Sequence, residues 1–360
     1  MFKLFSRKDA FKATVNDLGK PIEVEPSSNL LQAALAAGVA WPHSCRVGSC
    51  GTCRCRLVSG RIKELSDFSY VLEEDELDRG MILACQTSLR SDIVVEVDLD
   101  TTVGKVAKPE SIKGVISGST PLTHDILEIR VHLEKPLPRY IAGQYAEISV
   151  AGIDHPRSYS FARAPENEKS DDVTFHVRHV PGGEMSGWLH AESRIGQEVV
   201  ITGPFGSFHL RDSQSPILCI AGGSGMAPIK ALLECLCTSG FKRQVTYLFG
   251  ARTQKDLYCL DEMDAVKAKG NDHFRFLPIL SNEPDGSSWS GRRGLVTSHI
   301  TDVNLDLASC EAYLCGPPPM IDAAIEVLNK EGLGSERIFF DKFFDTSHLP
   351  GGRGNPPSNG

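Results

Sequence analysis

Fourteen residues, Pro42 to Cys55 (PHSCRVGSCGTCRC), constrain this chain more than any other stretch. They set Cys45, Cys50 and Cys53 at C-x4-C-x2-C spacing, and Cys85 follows in LACQ. Three thiolates on one tight loop with a fourth returning from a later segment is the plant-type spacing for a [2Fe-2S] cluster. A zinc site more often brings its ligands as two C-x2-C pairs, and no second pair follows Cys85. Gly48 and Gly51 remove side chains where backbone N–H groups turn inward toward sulfide and thiolate, and Ser44, Ser49 and Thr52 add hydroxyl donors that tune the potential. Cys55, two positions past Cys53, is expected to point away from the cluster as small core filler.

With 360 residues the chain has room for two or three domains, each with its own core. A formal net charge of -8 leaves no footprint for nucleic acid, so acidity here means solubility. The eleven cysteines are an odd count, and Cys219, Cys235, Cys237, Cys259, Cys310 and Cys315 show no disulfide-framework spacing. Free thiols beside an iron–sulfur site indicate a reducing, cytoplasmic compartment. The opening MFKLFSRKDAFK lacks the apolar stretch of a signal peptide. Leu30 to Ala40, the longest apolar run, is broken by Gln32 and Gly38 and is too short to span a bilayer, so no membrane insertion is expected.

Residues 11 to 26 alternate apolar and polar positions around a turn at Asn16 to Gly19, which predicts a β-hairpin. Ser28 and Asn29 cap a helix from Leu30 to Ala37, and Gly38 stops it. CRCRLVSGRI reads as a strand, a turn at Ser59-Gly60 and a short strand. Glu73 to Asp78 reads as an acidic helical turn, either a docking patch or a solvated charge run. Leu83 to Gln86 carries the fourth ligand, and Ile93 to Val97 is a closing strand. This order over residues 10–100 resembles the β-grasp fold of plant-type ferredoxins. A polar, proline-ended linker follows over 101–111.

Between 112 and 211, GVISGS, HDILEIRVHL, AEISV, DVTFHVRHV and QEVVITG are evenly spaced short strands, which predict an antiparallel β-barrel. From 212 to 346 strands and helices alternate: PILCIAGG, PIKALLECLC, QVTYLFGA, DLYCLDEMDAVKAK, FRFLPIL, AYLCG and PMIDAAIEVLNKEG. That grammar predicts a doubly wound α/β domain with a parallel sheet. The chain is thus expected to be a multidomain α+β protein. Residues 347–360, rich in Gly, Pro and Asn, are expected to be disordered.

Arg157, Ser158, Tyr159 and Ser160 put a cation, an aromatic face and a hydroxyl on one segment. Arginine can pair with a pyrophosphate, tyrosine can stack on an isoalloxazine, and a serine hydroxyl can reach the flavin N5. The turn of Gly182 and Gly183 opens a helix through Met185 and Ser186 whose free N–H groups suit phosphate. His176 and Arg178 alternate on FHVRHV, as in an ordinary barrel strand. In the last domain Gly222, Gly223, Ser224, Gly225 and Met226 join a strand to a helix with Pro228 in its first turn, which lets backbone approach a pyrophosphate. Cys315, Gly316 and Pro317 end the last predicted strand, where open α/β sheets bind ligands. Cys315 is either a neighbour of the nicotinamide or a small buried thiol. Arg252, ending another strand, is placed to contact ribose or phosphate.

RSYS, GGEMSGW, GPFG, AGGSGMAP, LFGAR and YLCGPPPM, in this order behind CRVGSCGTC, resemble the ferredoxin-NADP reductase superfamily. They are most similar to the ferredoxin-fused reductase components of bacterial multicomponent oxygenases. The resemblance implies FAD on Arg157, Ser158, Tyr159 and Ser160, on His176, Val177 and Arg178, and on the Gly183, Met185 and Ser186 turn. It implies NADH over Gly223, Ser224, Gly225, Met226, Arg252, Cys315, Gly316 and Pro317. A C-terminal aromatic covers the flavin in relatives, which points to Phe343 or Phe344. Asp341 stands where many relatives show Glu. The family likeness, with the absence of a serine-arginine pair after LFG, favours NADH over NADPH, while Arg252 leaves NADPH open.

The expected activity is a relay in which NADH reduces FAD and single electrons pass to the cluster, with Ser160 and Cys315 shaping the first step by orientation. The electrons go to a terminal oxygenase on a separate polypeptide, soluble or membrane-bound, acting on an aromatic or related hydrocarbon. The chain itself is expected to be a monomer. A rival reading keeps the cofactors but makes the protein a redox sensor that signals to a partner.

Overall fold

The apolar-polar alternation of FKATV and IEV produces the first hairpin: in the computed structural model, β1 (Phe11–Val15) runs antiparallel to β2 (Ile22–Val24) with Ala13 opposite Ile22. The structure describes residues 10–16, 18–43, 46, 48, 51–99, 108–165 and 169–343. The predicted tail lies outside them, as do residues 101–107 of the predicted linker. The chain divides into two units, Met1–Pro109 and Glu110–Gly360.

In the first unit, Asn29 caps α1 (Leu30–Ala36) by accepting from Gln32 N, while the Gln32 side chain accepts from Asn29 N. This reciprocal cap satisfies two of the backbone donors left open at a helix start. Gly38, at φ +80, lets the chain turn away. The remaining elements are β3 (Arg54–Ser59), β4 (Ile62–Glu64), α2 (Glu74–Asp78), β5 (Met81–Leu83), β6 (Thr87–Leu89) and β7 (Ile93–Glu96). The sheet order is β2-β1-β7-β3-β5, with β1 and β7 parallel. β4 does not pair with β3 across the Ser59-Gly60 turn; it pairs with β6 in a separate ribbon. Leu30, Leu31 and Ala34 of α1 supply the buried face, together with Val15, Leu83 and Val95.

The second unit opens with β8 (Glu110–Pro121), β9 (Ile126–Pro138), β10 (Tyr145–Ser149), β11 (Arg157–Ser160), β12 (Lys169–Arg178), α3 (Glu184–Ala191) and β13 (Glu198–Phe205). These strands form one antiparallel sheet in the order β11-β10-β13-β8-β9-β12, and a bridge between Phe161 and Phe175 joins its two edges into a barrel. Its core holds Ile112, Ile129, Phe161, Phe175 and Val177.

The same unit continues with β14 (Ile217–Gly222), α4 (Met226–Ser239), β15 (Val245–Ala251), α5 (Leu260–Gly270), β16 (Phe274–Leu280), β17 (Arg292–Arg293), β18 (Glu311–Gly316), α6 (Pro318–Lys330) and β19 (Ile338–Lys342). All its strand pairs are parallel, in the order β17-β16-β15-β14-β18-β19. Apolar residues of α4 and α5 cover one face and those of α6 the other, so β14 is buried at every position. α5 starts at Leu260, four residues later than the apolar pattern suggests, because Cys259 sits at φ +54 and Asp256 is spent capping its own turn at Thr253.

Candidate functional site

Of the four predicted cluster ligands, Cys45 and Cys50 lie outside the described residues; Cys53 and Cys85 are buried at 3% and 1% exposure. Cys53 immediately precedes β3, and Cys85 lies in a short helical turn at residues 84–86 that follows β5, the strand beside β3. Their approach follows from that pairing. Ala84 N donates to Cys53 O at 3.2 Å, and Cys85 N points at Cys53 Sγ at 3.5 Å. The indole of buried Trp41 also donates to Cys53 O, at 3.3 Å. Gly48 and Gly51 hold φ of +79 and +71, and a Cβ there would meet Gln86 Cγ at 2.5 Å and Arg54 Nη2 at 2.8 Å. Thr52 Oγ1 is buried with no hydrogen-bond partner among the described residues. A buried hydroxyl without a partner among the described residues and an amide aimed at a thiol sulfur suit a group rich in sulfur acceptors. Cys55 is buried in β3, and desolvation pushes its thiol far up, which fits packing.

The predicted flavin residues divide between ligand-facing groups and scaffold. Arg157 sits within 3.6 Å of Glu184, the first residue of α3, so the arginine segment and the glycine turn are brought together. Its guanidinium is steadied by the His155 carbonyl at 2.8 Å. Tyr159 is half-buried against the barrel core, and Ser158 is exposed. Val177 and Met185 point into the barrel core, leaving their backbone as what they can offer a ligand. Ser186 Oγ accepts from Val180 N at 3.1 Å and therefore braces the glycine turn. His176 is buried against Tyr258, neither ring nitrogen has a hydrogen-bond partner among the described residues, and its Nε2 faces the Glu128 carboxylate at 3.9 Å. Burial lowers its pKa, so it stays neutral.

The nucleotide turn shows the same division. Gly223, at φ +56, faces a cleft that Pro317, Arg252 and Arg178 also line. Arg178 Nη1 lies 3.9 Å from where a Cβ on Gly223 would sit, while its Nε donates to Asp125 at 3.1 Å. The guanidinium of this barrel residue thus reaches the nucleotide turn. Gly225 has a different reason to be glycine: a Cβ would collide with the Cys315 carbonyl. Met226 is core, with Tyr247 Oη donating to its sulfur at 3.3 Å. Ser224 is half-buried beside these glycines.

Ser160 Oγ donates to Asp341 Oδ2 at 3.5 Å, and Asp341 on β19 is the register partner of Cys315 on β18. The barrel strand and the end of the parallel sheet therefore meet at one buried spot. Cys315 is fully buried, and desolvation holds its thiol neutral. Gly316, at φ +139, lies against Gly222 and accepts from Phe343 N at 2.9 Å, so Phe343 is tied to this end of β18. Phe344 is outside the described residues. Asp125, Tyr258 and Leu295 were not singled out from sequence. Asp125 and Leu295 line the cleft, and Tyr258 Oη donates to Gly223 O at 3.0 Å. They come from turns without a motif, and only the register of the aligned strands brings them in.

The profile of the 2Fe-2S iron-sulfur cluster binding domain matches residues 13–90, that of the oxidoreductase FAD-binding domain residues 113–210, and that of the oxidoreductase NAD-binding domain residues 219–326. The xylene/toluene monooxygenase electron transfer component of Pseudomonas putida is 41% identical, over 92% of this chain and 93% of that protein. The phenol 2-monooxygenase reductase component of Pseudomonas sp. (strain CF600) is 35% identical, over 93% and 95%. Among solved structures, an Amycolatopsis cytochrome P450 reductase superposes with a TM-score of 0.80 at 32% identity, covering 92% of this chain and 98% of that one.

Proposed function

Because the chain belongs to the ferredoxin-fused, FAD- and NAD-binding reductase components of oxygenases, we propose that it draws electrons from NADH and delivers them one at a time to a separate terminal oxygenase. It is an oxidoreductase with FAD, NAD and [2Fe-2S] domains. The FAD would take up the electron pair of NADH, and the cluster, of a type near roughly -400 mV, would carry electrons onward singly. The observation that carries the reading is the meeting of Ser160, Asp341 and Cys315, which joins the flavin strand to the nucleotide strand end.

The side chains there work by placement. Ser160 Oγ–H is held by Asp341 and is aimed by it, and neutral Cys315 offers shape without acid–base chemistry. Arg178, steadied by Asp125, would receive nucleotide phosphate beside Gly223, with Arg252 at the rim. Arg157 and the start of α3 would hold the flavin pyrophosphate. The cleft wall carries the carboxylates of Asp125 and Asp256 beside these guanidiniums, a balance that suits the two phosphates of NADH better than the additional dianion of NADPH. In the cluster unit, Cys45, Cys50, Cys53 and Cys85 would be the ligands.

The named relatives are reductase or electron-transfer components, which favours turnover over redox sensing. Their named substrates support an aromatic or related hydrocarbon as the oxygenase substrate, and the oxygenase is the proposed partner, soluble or in a membrane. No helix among the described residues is long and apolar enough to cross a membrane.

An anaerobic titration of the purified protein tests the proposal, with flavin absorbance and electron paramagnetic resonance read together. The expected result is flavin bleaching by NADH, weaker bleaching by NADPH, and a reduced [2Fe-2S] signal that follows. Flavin bleaching with a silent cluster would refute the relay.

A further inference from the structure

Lys230 is the one lysine among the buried polar residues described, at 1% exposure, and nothing in the nucleotide cleft uses it. It lies on α4, the helix that starts at the glycine turn. A lone ammonium buried there would be costly, so its bonds show what it does. Lys230 Nζ donates to Ala162 O at 3.0 Å and to Glu234 Oε1 at 2.7 Å. The other oxygen of Glu234 accepts from Ala164 N at 2.8 Å. Ala162 and Ala164 belong to the barrel, two and four residues beyond Ser160. One lysine and one glutamate, a helical turn apart, thus grip a carbonyl and an amide of the segment that leaves the flavin strand.

The grip has a direction. On one side it holds the helix that follows the Gly223 turn, and on the other the segment that continues the Ser160 strand. Arg243 and Glu311 form another buried pair at 2.6 Å, but beyond Glu311 the Arg243 guanidinium reaches, among the described residues, only the carbonyls of Arg211 and Ser215, in the segment leading into β14, and not the flavin strand. We infer that Lys230 and Glu234 are a positioning pair that sets the spacing between the flavin strand and the nucleotide turn, and so the placement of NADH against FAD. The inference rests on the proposed function. Neither residue touches the cofactors' reacting atoms; both act through Ala162, Ala164 and α4.

The test uses the full chain loaded with flavin and cluster. Lys230→Met combined with Glu234→Gln removes both charges, so no buried charge is stranded; Glu234→Gln alone decides the matter should the double variant not fold. Amide exchange over residues 161–165 should quicken at least about tenfold as the Ala164 bond is lost. The limiting rate of flavin bleaching at saturating NADH should fall roughly 10- to 100-fold, with the NAD+ dissociation constant changed less than about twofold. Long-wavelength absorption from nucleotide stacked on flavin should weaken, and Lys230→Arg, which keeps charge and donors, should restore it. A limiting rate within about twofold of wild type while exchange quickens would overturn the inference. So would a fall in rate that merely tracks lost flavin. If wild-type flavin is not bleached by NADH, the proposed function fails, and amide exchange with nucleotide-induced absorption then decides the pair on its own.

Discussion

In the cluster unit Cys53 and Cys85 are drawn together until a backbone amide of one points at the sulfur of the other at 3.5 Å, whereas in the flavin and nucleotide unit Cys219 and Cys315 lie within strands of the parallel sheet and Cys310 just before β18, all at 0–1% exposure. In the second setting burial pushes the Cys219 thiol up to about 12 and that of Cys310 to about 11. On the proposed function the same residue type would be a ligand at Cys53 and Cys85, while at Cys219 and Cys310, as at Cys55, it is packing volume. The difference extends beyond cysteine. On the proposed function the chemistry of the cluster unit would be carried by side chains and that of the second unit largely by backbone groups that glycines expose, since Val177, Met185 and Met226 are spent on the core.

The comparison breaks most visibly at Cys85. Cys85→Ser should abolish the reduced-cluster resonance and cytochrome c reduction while ferricyanide reduction by NADH persists, since the flavin part is untouched. Loss of both activities together would show that the two units are not chemically separable. Gly225→Ala tests the backbone side. The new methyl would collide with the Cys315 carbonyl, and overpacking of this kind costs about 1–3 kcal/mol. The turn must shift, so NAD+ affinity by calorimetry should fall about tenfold along with the melting temperature. Unaltered affinity would mean that the turn does not hold the nucleotide. Arg178→Met comes next: losing a charged hydrogen-bond donor, worth roughly 1.5–3 kcal/mol, should weaken NAD+ about tenfold at unchanged flavin content. Flavin loss instead would place the guanidinium on FAD, as the sequence resemblance alone implied.

This division explains what was legible beforehand. The C-x4-C-x2-C spacing, the Asn29 cap and the alternation in the barrel strands are local, so the β-grasp, barrel and parallel-sheet order could be read directly. The start of α5 was misread because Cys259 adopts a left-handed backbone that no propensity signals. In the candidate site, motifs point to Ser160 and Cys315, but Asp341 meets them only because β19 pairs with β18, a contact between segments with no shared pattern. Lys230 lies on the helix read from PIKALLECLC, and no motif marks it. Its role depends on Ala162 and Ala164, which are nearly 70 residues distant, and alanine in a loop carries no signal at all.

The smallest effect concerns the buried thiols. Cys219 has a folded pKa of about 12 against an unfolded value near ~9. Below the unfolded value the thiol is protonated in both states, and its contribution to stability is fully present. As pH rises from there toward the folded value, only the unfolded chain loses the proton, so stability must decline, by at most about 1.4 kcal/mol per pH unit for each such group. Cys310, at about 11, adds to the same slope over a narrower window. Denaturant midpoints of the flavin and nucleotide unit, followed by flavin fluorescence between pH 8 and pH 11, should therefore fall. Replacing Cys219 with alanine should flatten that fall at the expense of stability lost to the smaller side chain. A cluster-ligand thiol is held as thiolate by the metal, so with iron in place Cys53 and Cys85 should add no such alkaline slope, and in the cluster unit only Cys55, whose thiol burial pushes far up, should contribute one. Equal alkaline slopes in the two units with iron in place and Cys55 replaced by alanine would show that cysteine is not used in two different ways.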